Sequence, residues 1–480
     1  MTHLRVFCLP LLLALLWCAP LAGWANTPQL PNLGDPSDTL LTPEQEYRLG
    51  RGWLRSLRGQ VPLLEDPLVQ DYVEHLVYRL ASYSDLTEPD LAVVVVNNRD
   101  INAFAVPGGV IGLNAGLFLH ADSEDEVAAV IAHEIAHVSQ RHFTRRYADS
   151  QRMNYTMLAA LLASMAVAIA GDAQAGMAGI ATSQAAAIHS QLAYSRHHER
   201  EADRVGMQTL VNAGLDPHAM PRFFERLLRT RQYASNPPEF ILSHPVTEDR
   251  VADSRSRAQA LPRPRMRAAP EFQLIRARIQ AGFFSDTQQA LTHFRGQYEG
   301  GTSATQQAAG FGLAMSALRA RDYALAERTL KQLAEQSPDQ FWFRIALAEV
   351  AQHKGESQRA VELLREVLRV IPGNYAASVL LADNLIALNE TTEARQLLDR
   401  LLLRRQDPQL YRLLAEVWGK EGDRARTHQA RGEYLFAMGQ EQRAVEQMRF
   451  ALAQSDDRFA LHTQIRARLR TMEQLADERF

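Results

Sequence analysis

Small residues recur in the C-terminal half of the chain with a fixed period of 34 residues. Three alanines mark one position, three more mark a position twelve residues later, and two prolines follow in step: Ala314, Ala348 and Ala382; Ala326, Ala360 and Ala394; Pro338 and Pro372. A small side chain at a fixed position lets paired helices approach closely, which is typical of stacked helical hairpins. This half of the chain is therefore expected to form an α-solenoid.

The repeat resembles the tetratricopeptide repeat, in which each unit contributes two helices. The resemblance covers residues 308–455, and the register loosens after Pro408. Segments such as GESQRAVELLREVLRVIPGN, residues 355–374, have the apolar spacing of a second helix in such a unit. The alternative interpretation is an alanine-rich helical bundle without a true repeat.

An export signal is expected at the start of the chain. Residues 1–25 combine a short basic start, an apolar stretch from Val6 to Trp17, and small residues Gly23 and Ala25 before the expected cleavage point. The apolar stretch is shorter than the roughly 20 residues that a membrane-spanning helix needs. Cleavage near Ala25 and release into a bacterial periplasm are therefore favoured over a membrane anchor.

Charge and cysteine content exclude several classes of function. The only two cysteines, Cys8 and Cys18, lie inside the expected signal, so the mature protein is expected to have neither a disulfide nor a catalytic thiolate. Lys and Arg together number 52 against 55 Asp and Glu, and the net charge is −3. Such a balance gives no global field that would favour nucleic acid or an anionic membrane.

The segment before the repeats is predicted to combine helices with a small sheet. Two amphipathic helices are expected after Thr42 and Asp66, which can cap the helices that begin at the following prolines. LAVVVVNN, residues 91–98, favours a strand, and NAFAVPGGVIGL, residues 102–113, favours two strand arms around a Pro-Gly-Gly turn. A further apolar segment, residues 157–188, is broken by glycine and is expected to form a buried or interfacial helical hairpin.

The stretch VIAHEIAHVSQRH, residues 130–142, contains the pattern H-E-x-x-H. Positions four apart on a helix differ by about 40° around its axis, so His133 and His137 can hold one metal ion. Zinc bound in this way lowers the pKa of a bound water toward ~7, and Glu134, about 100° from His133, lies where a base for that water belongs. The alternative is a surface helix with polar residues placed by chance, but the flanking VAAVIA is apolar and argues for burial.

A zinc hydrolase needs a third protein ligand, and HHEREADRVG, residues 197–206, offers the best candidates. Glu199 and Asp203 lie four apart on a helix that is expected to end at Gly214, so both carboxylates face the same way. Glu201 fits the spacing less well and is a competing candidate. His142, five residues after His137, points off the ligand face and is expected at the surface or against a ligand side chain.

H-E-x-x-H followed by E-x-x-A-D, with NAFAVPGG upstream, resembles the zinc metallopeptidase family that contains the CAAX prenyl endopeptidases and a heat-shock protease. The resemblance implies that His133, His137 and Glu199 bind one Zn²⁺ ion per chain, and that Glu134 is the catalytic base. It also implies that Asp203 orients a ligand imidazole.

Two further segments share the resemblance. The strand around Phe104–Val110 resembles the edge strand to which a substrate peptide adds by backbone pairing, which implies substrate binding by Asn102, Phe104, Gly108 and Gly109. LSHPVTEDRV, residues 242–251, resembles a short family segment, H-P-x-x-x-x-R. His244 is expected to stabilise the oxyanion in catalysis or to occupy the open zinc position at rest, and Arg250 to form a buried salt bridge or orient the site carboxylates.

The sequence therefore predicts a mainly α protein in four parts. These are a signal peptide (1–25), a zinc metallopeptidase domain of helices with a small β-sheet (26–260), a linker with the first helices of the repeat region (261–307), and a tetratricopeptide-repeat α-solenoid (308–480). The order resembles exported, repeat-carrying members of the family that lack multiple transmembrane helices.

That resemblance implies a periplasmic zinc endopeptidase and chaperone. It is expected to degrade stalled or misassembled outer-membrane β-barrel proteins, and to promote their assembly beside the barrel-assembly machinery. Peripheral contact with the outer membrane through residues 157–188 is a further expectation. The alternative is chiefly a repeat-based chaperone or adaptor with secondary proteolysis, but the intact Glu134 favours the enzyme.

Overall fold

The structure is a computed structural model that describes residues 41–87, 90–149, 195–233, 238–264 and 269–477, together with 162, 166 and 169. The expected signal, residues 1–25, and most of the apolar segment 157–188 lie outside the described residues. Within the described part, no helix has both the length and the apolar character that a membrane crossing needs.

The N-terminal half surrounds a three-stranded sheet with helices, as the sequence predicts. Its elements are α1 (Pro43–Gln60), α2 (Pro67–Ala81), β1 (Ala92–Val96), β2 (Ala103–Val106), β3 (Val110–Asn114), α3 (Ala115–His120), α4 (Glu124–Ser139), α5 (His142–Asp149), α6 (Arg196–Asn212), α7 (Ala219–Tyr233), α8 (Glu239–Ser243) and α9 (Glu248–Gln259).

The two predicted helix caps form, and a third cap begins α4. Thr42 closes a complete capping box with Gln45, and the Asp66 carboxylate accepts from the first backbone N–H groups of α2. Ser123 accepts from the backbone N–H of Glu126 at 3.3 Å, but the Glu126 carboxylate accepts from the backbone N–H of Asp122 instead of returning to Ser123. The α4 cap therefore forms only one of the two hydrogen bonds of a capping box.

The sheet has the order β1-β3-β2, with β1 parallel and β2 antiparallel to β3. The β2–β3 hairpin turns at Gly108 and Gly109, where φ is +75° and +74°. A Cβ atom on Gly108 would lie 2.5 Å from the carbonyl oxygen of Glu46, so the hairpin tip packs directly against the backbone of α1. Strand β2 also packs against α4.

Helix α4 is buried on all sides, since every residue from Glu126 to His137 is buried. Its closest helical neighbour is α6, and a Cβ atom on Gly206 would lie 3.0 Å from the Ala132 backbone. Because glycine allows this approach, the carboxylates of α6 reach the histidines of α4. The crossing at Gly206 positions the site.

The C-terminal half is a solenoid of helical hairpins, so the predicted fold class is confirmed. Its helices are α10 (Pro270–Phe283), α11 (Thr287–Gly300), α12 (Ser303–Arg319), α13 (Tyr323–Gln336), α14 (Phe341–His353), α15 (Ser357–Val370), α16 (Tyr375–Ala387), α17 (Thr391–Leu402), α18 (Pro408–Lys420), α19 (Arg424–Ala437), α20 (Glu441–Ala453) and α21 (Phe459–Asp477). The six periodic alanines are each at most 1% exposed, as expected where helices pack closely.

Polar contacts attach the solenoid to α2. Arg278 on α10 donates to Asp66 at 2.6 Å and to Glu349 at 2.7 Å, and Asn374 donates to Asp71 at 2.9 Å. Helix α2 also packs on α4. One helix therefore lies between the solenoid and the helix that carries H-E-x-x-H.

Candidate metal centre

Four buried side chains from three separate segments converge on one point. Their donor atoms, one each from His133, His137, Glu199 and His244, all lie within 4.8 Å of one another. His133 Nε2 lies 3.0 Å from His137 Nε2, and Glu199 Oε1 lies 3.4 Å from His137 Nε2 and 3.1 Å from His244 Nδ1. Helices α4 and α6 and the turn between α8 and α9 supply these groups.

The donor set fits a divalent metal ion. Three imidazole nitrogens and one carboxylate oxygen are ligands that zinc and related ions accept. Two imidazole nitrogens that face each other at 3.0 Å repel unless a proton or a cation lies between them. The geometry of His133 and His137 therefore matches a site that holds a positive ion.

A guanidinium group holds two carboxylates of α6 in place. Arg250 donates through Nε and Nη2 to Asp203, and its Nη1 forms an ion pair with Glu199 Oε2 at 2.7 Å. Asp203 Oδ1 in turn lies 3.0 Å from His133 Nδ1. Burial opposes ionisation of Glu199, but the nearby His244, Arg250 and the hydrogen-bonding histidines hold its pKa well below the usual range, so it is a charged carboxylate.

The two histidines of α4 differ in protonation. Burial lowers the pKa of His133, but hydrogen bonds with Asp203 and Glu199 outweigh it and raise the pKa to about 10. Burial lowers the pKa of His137 well below its usual value, although Glu199 opposes the shift. A metal ion bound here would therefore compete with a proton more strongly at His133 than at His137.

Glu134 lies beside the cluster and is fully buried. Its Oε1 is 3.5 Å from His244 Nε2, and among the described residues neither of its carboxylate oxygens has a hydrogen-bond partner. Burial raises the pKa of Glu134. A buried carboxylate without donors is unfavourable for folding, so its retention points to a chemical use.

His142 and Glu201 form a separate contact next to the cluster. His142 Nδ1 is 2.9 Å from His137 Nδ1, and His142 Nε2 is 3.1 Å from Glu201 Oε2. Glu201 therefore faces His142, and it is Glu199, the other candidate, that lies in the donor set.

The side chains predicted for substrate binding have other contacts. Asn102 donates to Glu239 Oε2 at 2.9 Å, and the Phe104 ring packs edge-on against Trp53 with centroids 5.5 Å apart. Gly108 and Gly109 form the hairpin tip described above. Asn102 pairs with Asn114 on β3, so the peptide groups of Ala103 and Ala105 point toward the opposite edge of β2.

The anchoring of the α8 segment was not predicted. The Phe240 N–H donates to the carbonyl oxygen of Ile101 at 3.2 Å, and the Phe240 ring stacks on the His244 ring with centroids 4.8 Å apart. The signal that could have indicated a buried anchor is the run of three apolar residues, Phe240, Ile241 and Leu242, between a Pro-Pro pair and His-Pro; the first two are buried. These contacts hold His244 at the cluster.

Comparison with known proteins is consistent with this geometry. The family model described as peptidase family M48 matches residues 67–258, and a tetratricopeptide-repeat model matches residues 353–417. The beta-barrel assembly-enhancing protease of Escherichia coli (strain K12) is 32% identical over 94% of this chain and 92% of its own length. A Vibrio cholerae protein provisionally given the same name is 34% identical over 89% of each chain.

A more distant relative shares the peptidase half. The mitochondrial metalloendopeptidase OMA1 of Arabidopsis thaliana is 30% identical over 54% of this chain and 49% of its own length. Three observations indicate the same family: the matches over most of the chain, the match to the M48 model, and the cluster of side chains of the kinds that bind metals. The chain is a metalloprotease and belongs to the β-barrel assembly-enhancing protease family within peptidase family M48.

Proposed function

We propose that this protein is a periplasmic zinc endopeptidase and chaperone that acts on misassembled outer-membrane β-barrel proteins. The observation that carries the proposal is the buried donor set of His133, His137 and Glu199 with Glu134 beside it. The names of the relatives in Escherichia coli and Vibrio cholerae support barrel assembly as the process.

His133, His137 and Glu199 would hold a single zinc ion. When bound, zinc lowers the pKa of water and polarises a carbonyl group. Glu134 takes the proton from the attacking water and delivers it to the leaving amine, and its raised pKa brings it closer to the working pH, where general-base catalysis is efficient. Asp203 and Arg250 fix the orientation of His133 and Glu199.

His244 would control access to the metal. A catalytic zinc site keeps one position open, whereas four donor atoms converge here. In the resting enzyme His244 would supply a fourth donor to the metal, and it would have to leave before a peptide carbonyl could enter. The alternative role is to stabilise the oxyanion, for which an imidazole N–H is a suitable donor; in the structure His244 Nε2 lies 3.5 Å from Glu134 Oε1, beside the base.

The substrate would bind as an extended strand. Peptide groups of Ala103 and Ala105 face the edge of β2 that pairs with no other strand in the described part of the chain, and an unfolded barrel protein can pair there through its backbone. Asn102, Phe104, Gly108 and Gly109 then support the strand through side-chain contacts and the hairpin turn instead of touching the substrate side chains.

The repeat region, residues 308–480, would bind client proteins and the barrel-assembly machinery. Stacked helical repeats present an extended surface suited to protein partners.

The peptidase domain would span residues 26–260, and residues 261–307 would join it to the repeat region. Residues 157–188 would make peripheral contact with the outer membrane. The second candidate function is a repeat-based chaperone or adaptor with secondary proteolysis, which the tetratricopeptide-repeat match over residues 353–417 favours.

The test compares the mature wild-type chain with Glu134→Gln. Both are expected to contain one zinc ion per chain, and only the wild type is expected to cleave an unfolded outer-membrane barrel protein. Loss of a general base reduces turnover by about 10²–10⁴-fold. If zinc-loaded wild type and His244→Ala both leave casein and the barrel protein intact, the adaptor function is correct and the peptidase is not.

A further inference from the structure

We infer that His142 and Glu201 are positioning residues for the metal ligand His137. They form a hydrogen-bonded chain that fixes which ring nitrogen of His137 carries the proton, and so directs Nε2 to the metal ion. The inference rests on the proposed metal function. It assigns a role to the two residues of the motif region that the catalytic mechanism does not use.

Local backbone geometry brings His142 back to His137. Helix α4 ends at Ser139, and Arg141 adopts the left-handed conformation with a φ of 49°. This residue is held by Glu46, whose Oε1 accepts from Arg141 Nε at 3.1 Å and Nη2 at 2.8 Å. The chain therefore turns sharply before α5, and the first residue of α5 packs against the last turn of α4.

The hydrogen-bond directions follow from the metal. A His137 that offers Nε2 to an ion carries its proton on Nδ1, and that N–H points at His142 Nδ1 at 2.9 Å. His142 Nδ1 must then be an acceptor, so His142 carries its own proton on Nε2. That proton points at Glu201 Oε2 at 3.1 Å, and only a carboxylate or another acceptor satisfies it there.

At the end of this series of hydrogen bonds, Glu201 lies partly exposed at the protein surface. Glu201 Oε2 also accepts from Arg145 Nη1 at 3.0 Å, and the Glu201 side chain is 18% exposed whereas His142 is fully buried. Arg145 lies on α5 and Glu201 on α6. The hydrogen bonds therefore connect the turn after α4 to the helix that supplies Glu199.

The two ligand histidines of α4 therefore have different supports. His133 Nδ1 faces the carboxylate of Asp203 directly at 3.0 Å, which is the common arrangement for a metal-bound imidazole. His137 reaches its carboxylate, Glu201, through one intervening imidazole. Loss of a partner that orients a ligand histidine typically reduces metal affinity or activity by 10- to 100-fold.

The experiment measures zinc affinity of the full mature chain by competition with a chromophoric chelator. His142→Asn places an amide oxygen near the position of ring Nδ1, whereas His142→Gln places its amide near Nε2 and cannot accept from His137. We expect His142→Gln to bind zinc about 10- to 100-fold more weakly and His142→Asn to stay within about 5-fold of wild type. Equal affinity of His142→Gln and wild type would overturn the inference.

A double-mutant cycle shows whether His142 and Glu201 act through connected hydrogen bonds or only through packing. Glu201→Ala is expected to weaken zinc binding in the wild type but to have no further effect in His142→Gln, because the two residues act in series. If Glu201→Ala weakened zinc binding equally in the wild type and in His142→Gln, the two residues would not act in series and the inference would be contradicted. Glu362→Ala, at an exposed carboxylate of the solenoid, is the control and should leave zinc affinity unchanged.

The thermal unfolding midpoint of each metal-free variant shows that it is folded. The proposed function is tested separately by zinc binding to the wild type and to Glu134→Gln. If those two proteins bind zinc and His142→Gln binds it equally well, only the inference about His142 and Glu201 is wrong. If the wild type binds no zinc, both the proposed metal function and the inference about His142 and Glu201 are wrong.

Discussion

Two parallel hydrogen bonds join Arg250 to Asp203, from Nε to Oδ2 at 2.8 Å and from Nη2 to Oδ1 at 2.7 Å. The third nitrogen of the same guanidinium reaches Glu199, and Asp203 continues the contact to His133. One arginine from α9 thus sets the positions of a carboxylate and an imidazole that come from two different helices. A planar fork of donors suits this task, and a lysine does not.

Arg250→Met is expected to leave two buried carboxylates without their counter-ion. Removing one partner of a buried ion pair destabilises a protein by about 3–5 kcal/mol. Denaturant unfolding measures the loss, and Arg250→Lys should recover part of it. Arg255→Met on the same helix breaks an exposed pair with Glu225 and is the control, with an expected change below about 1 kcal/mol. Equal effects at the two positions would contradict the role of Arg250.

His244→Ala is expected to raise peptidase activity, since it removes the fourth donor from the metal site. Rates of cleavage of an unfolded barrel protein, measured at equal zinc occupancy, test this. Phe240→Leu should also raise activity, because the ring that stacks on His244 is lost. A lower rate in His244→Ala would show that His244 acts mainly in transition-state stabilisation.

Glu239→Gln is expected to change how stability depends on pH. Burial and the neighbouring Asp100 raise the pKa of Glu239 from 4.5 to about 7, against the opposing hydrogen bond from Asn102. Between these values the folded chain holds a proton that the unfolded chain releases, so this stabilising contribution is complete below about pH 4.5 and is lost as pH rises to about 7. Glutamine keeps the acceptor for Asn102 without the charge.

At pH 8 we therefore expect Glu239→Gln to be more stable than the wild type by about 1–3 kcal/mol. The difference should disappear toward pH 4.5, the ordinary pKa of the group. Asp100→Asn should shrink the effect, because it removes the charge that adds to the shift. Chemical denaturation at several pH values measures the wild type and Glu239→Gln, each with and without Asp100→Asn, and a difference between the first two that stays constant across the range would refute the assignment.

Removal of the metal is expected to lower the melting temperature of the wild type. An ion that binds only the folded chain stabilises it by about 3–4 kcal/mol when free zinc is 100 to 1,000 times its dissociation constant. A chelator should therefore shift the wild type and leave His133→Ala unchanged. Because the pKa of His133 is raised to about 10, zinc displaces a proton and its affinity should rise with pH from 6 to 9.

Predictions that depended on neighbouring residues agree with the structure. Thr42 and Asp66 cap the two helices expected there, the Pro-Gly-Gly turn joins two strands, and the periodic alanines are buried in the solenoid. Each of these patterns is complete within one or two turns of chain. Helical and strand periods, caps and turn residues act locally, so one sequence is sufficient to identify them.

Predictions that depended on distant residues needed the fold. The parallel pairing of β1 with β3 was not predicted, and Phe104 faces Trp53 in the core although its strand was correctly identified. For His142 the sequence predicted a position at the surface or against a ligand side chain, and it could not choose between them. The structure shows the second, because Arg141 reverses the chain and brings His142 against His137.

The sequence by itself determined the solenoid and the helix that carries two histidines and a glutamate, because local spacing specifies both. It also limited the third ligand to a few carboxylates of one later segment. Only the tertiary structure decided that Glu199 and His244 lie against the two histidines, whereas Glu201 contacts His142, which in turn contacts His137. Helix crossing at Gly206 and the turn at Arg141 set those distances, and packing between segments far apart in the chain determines both.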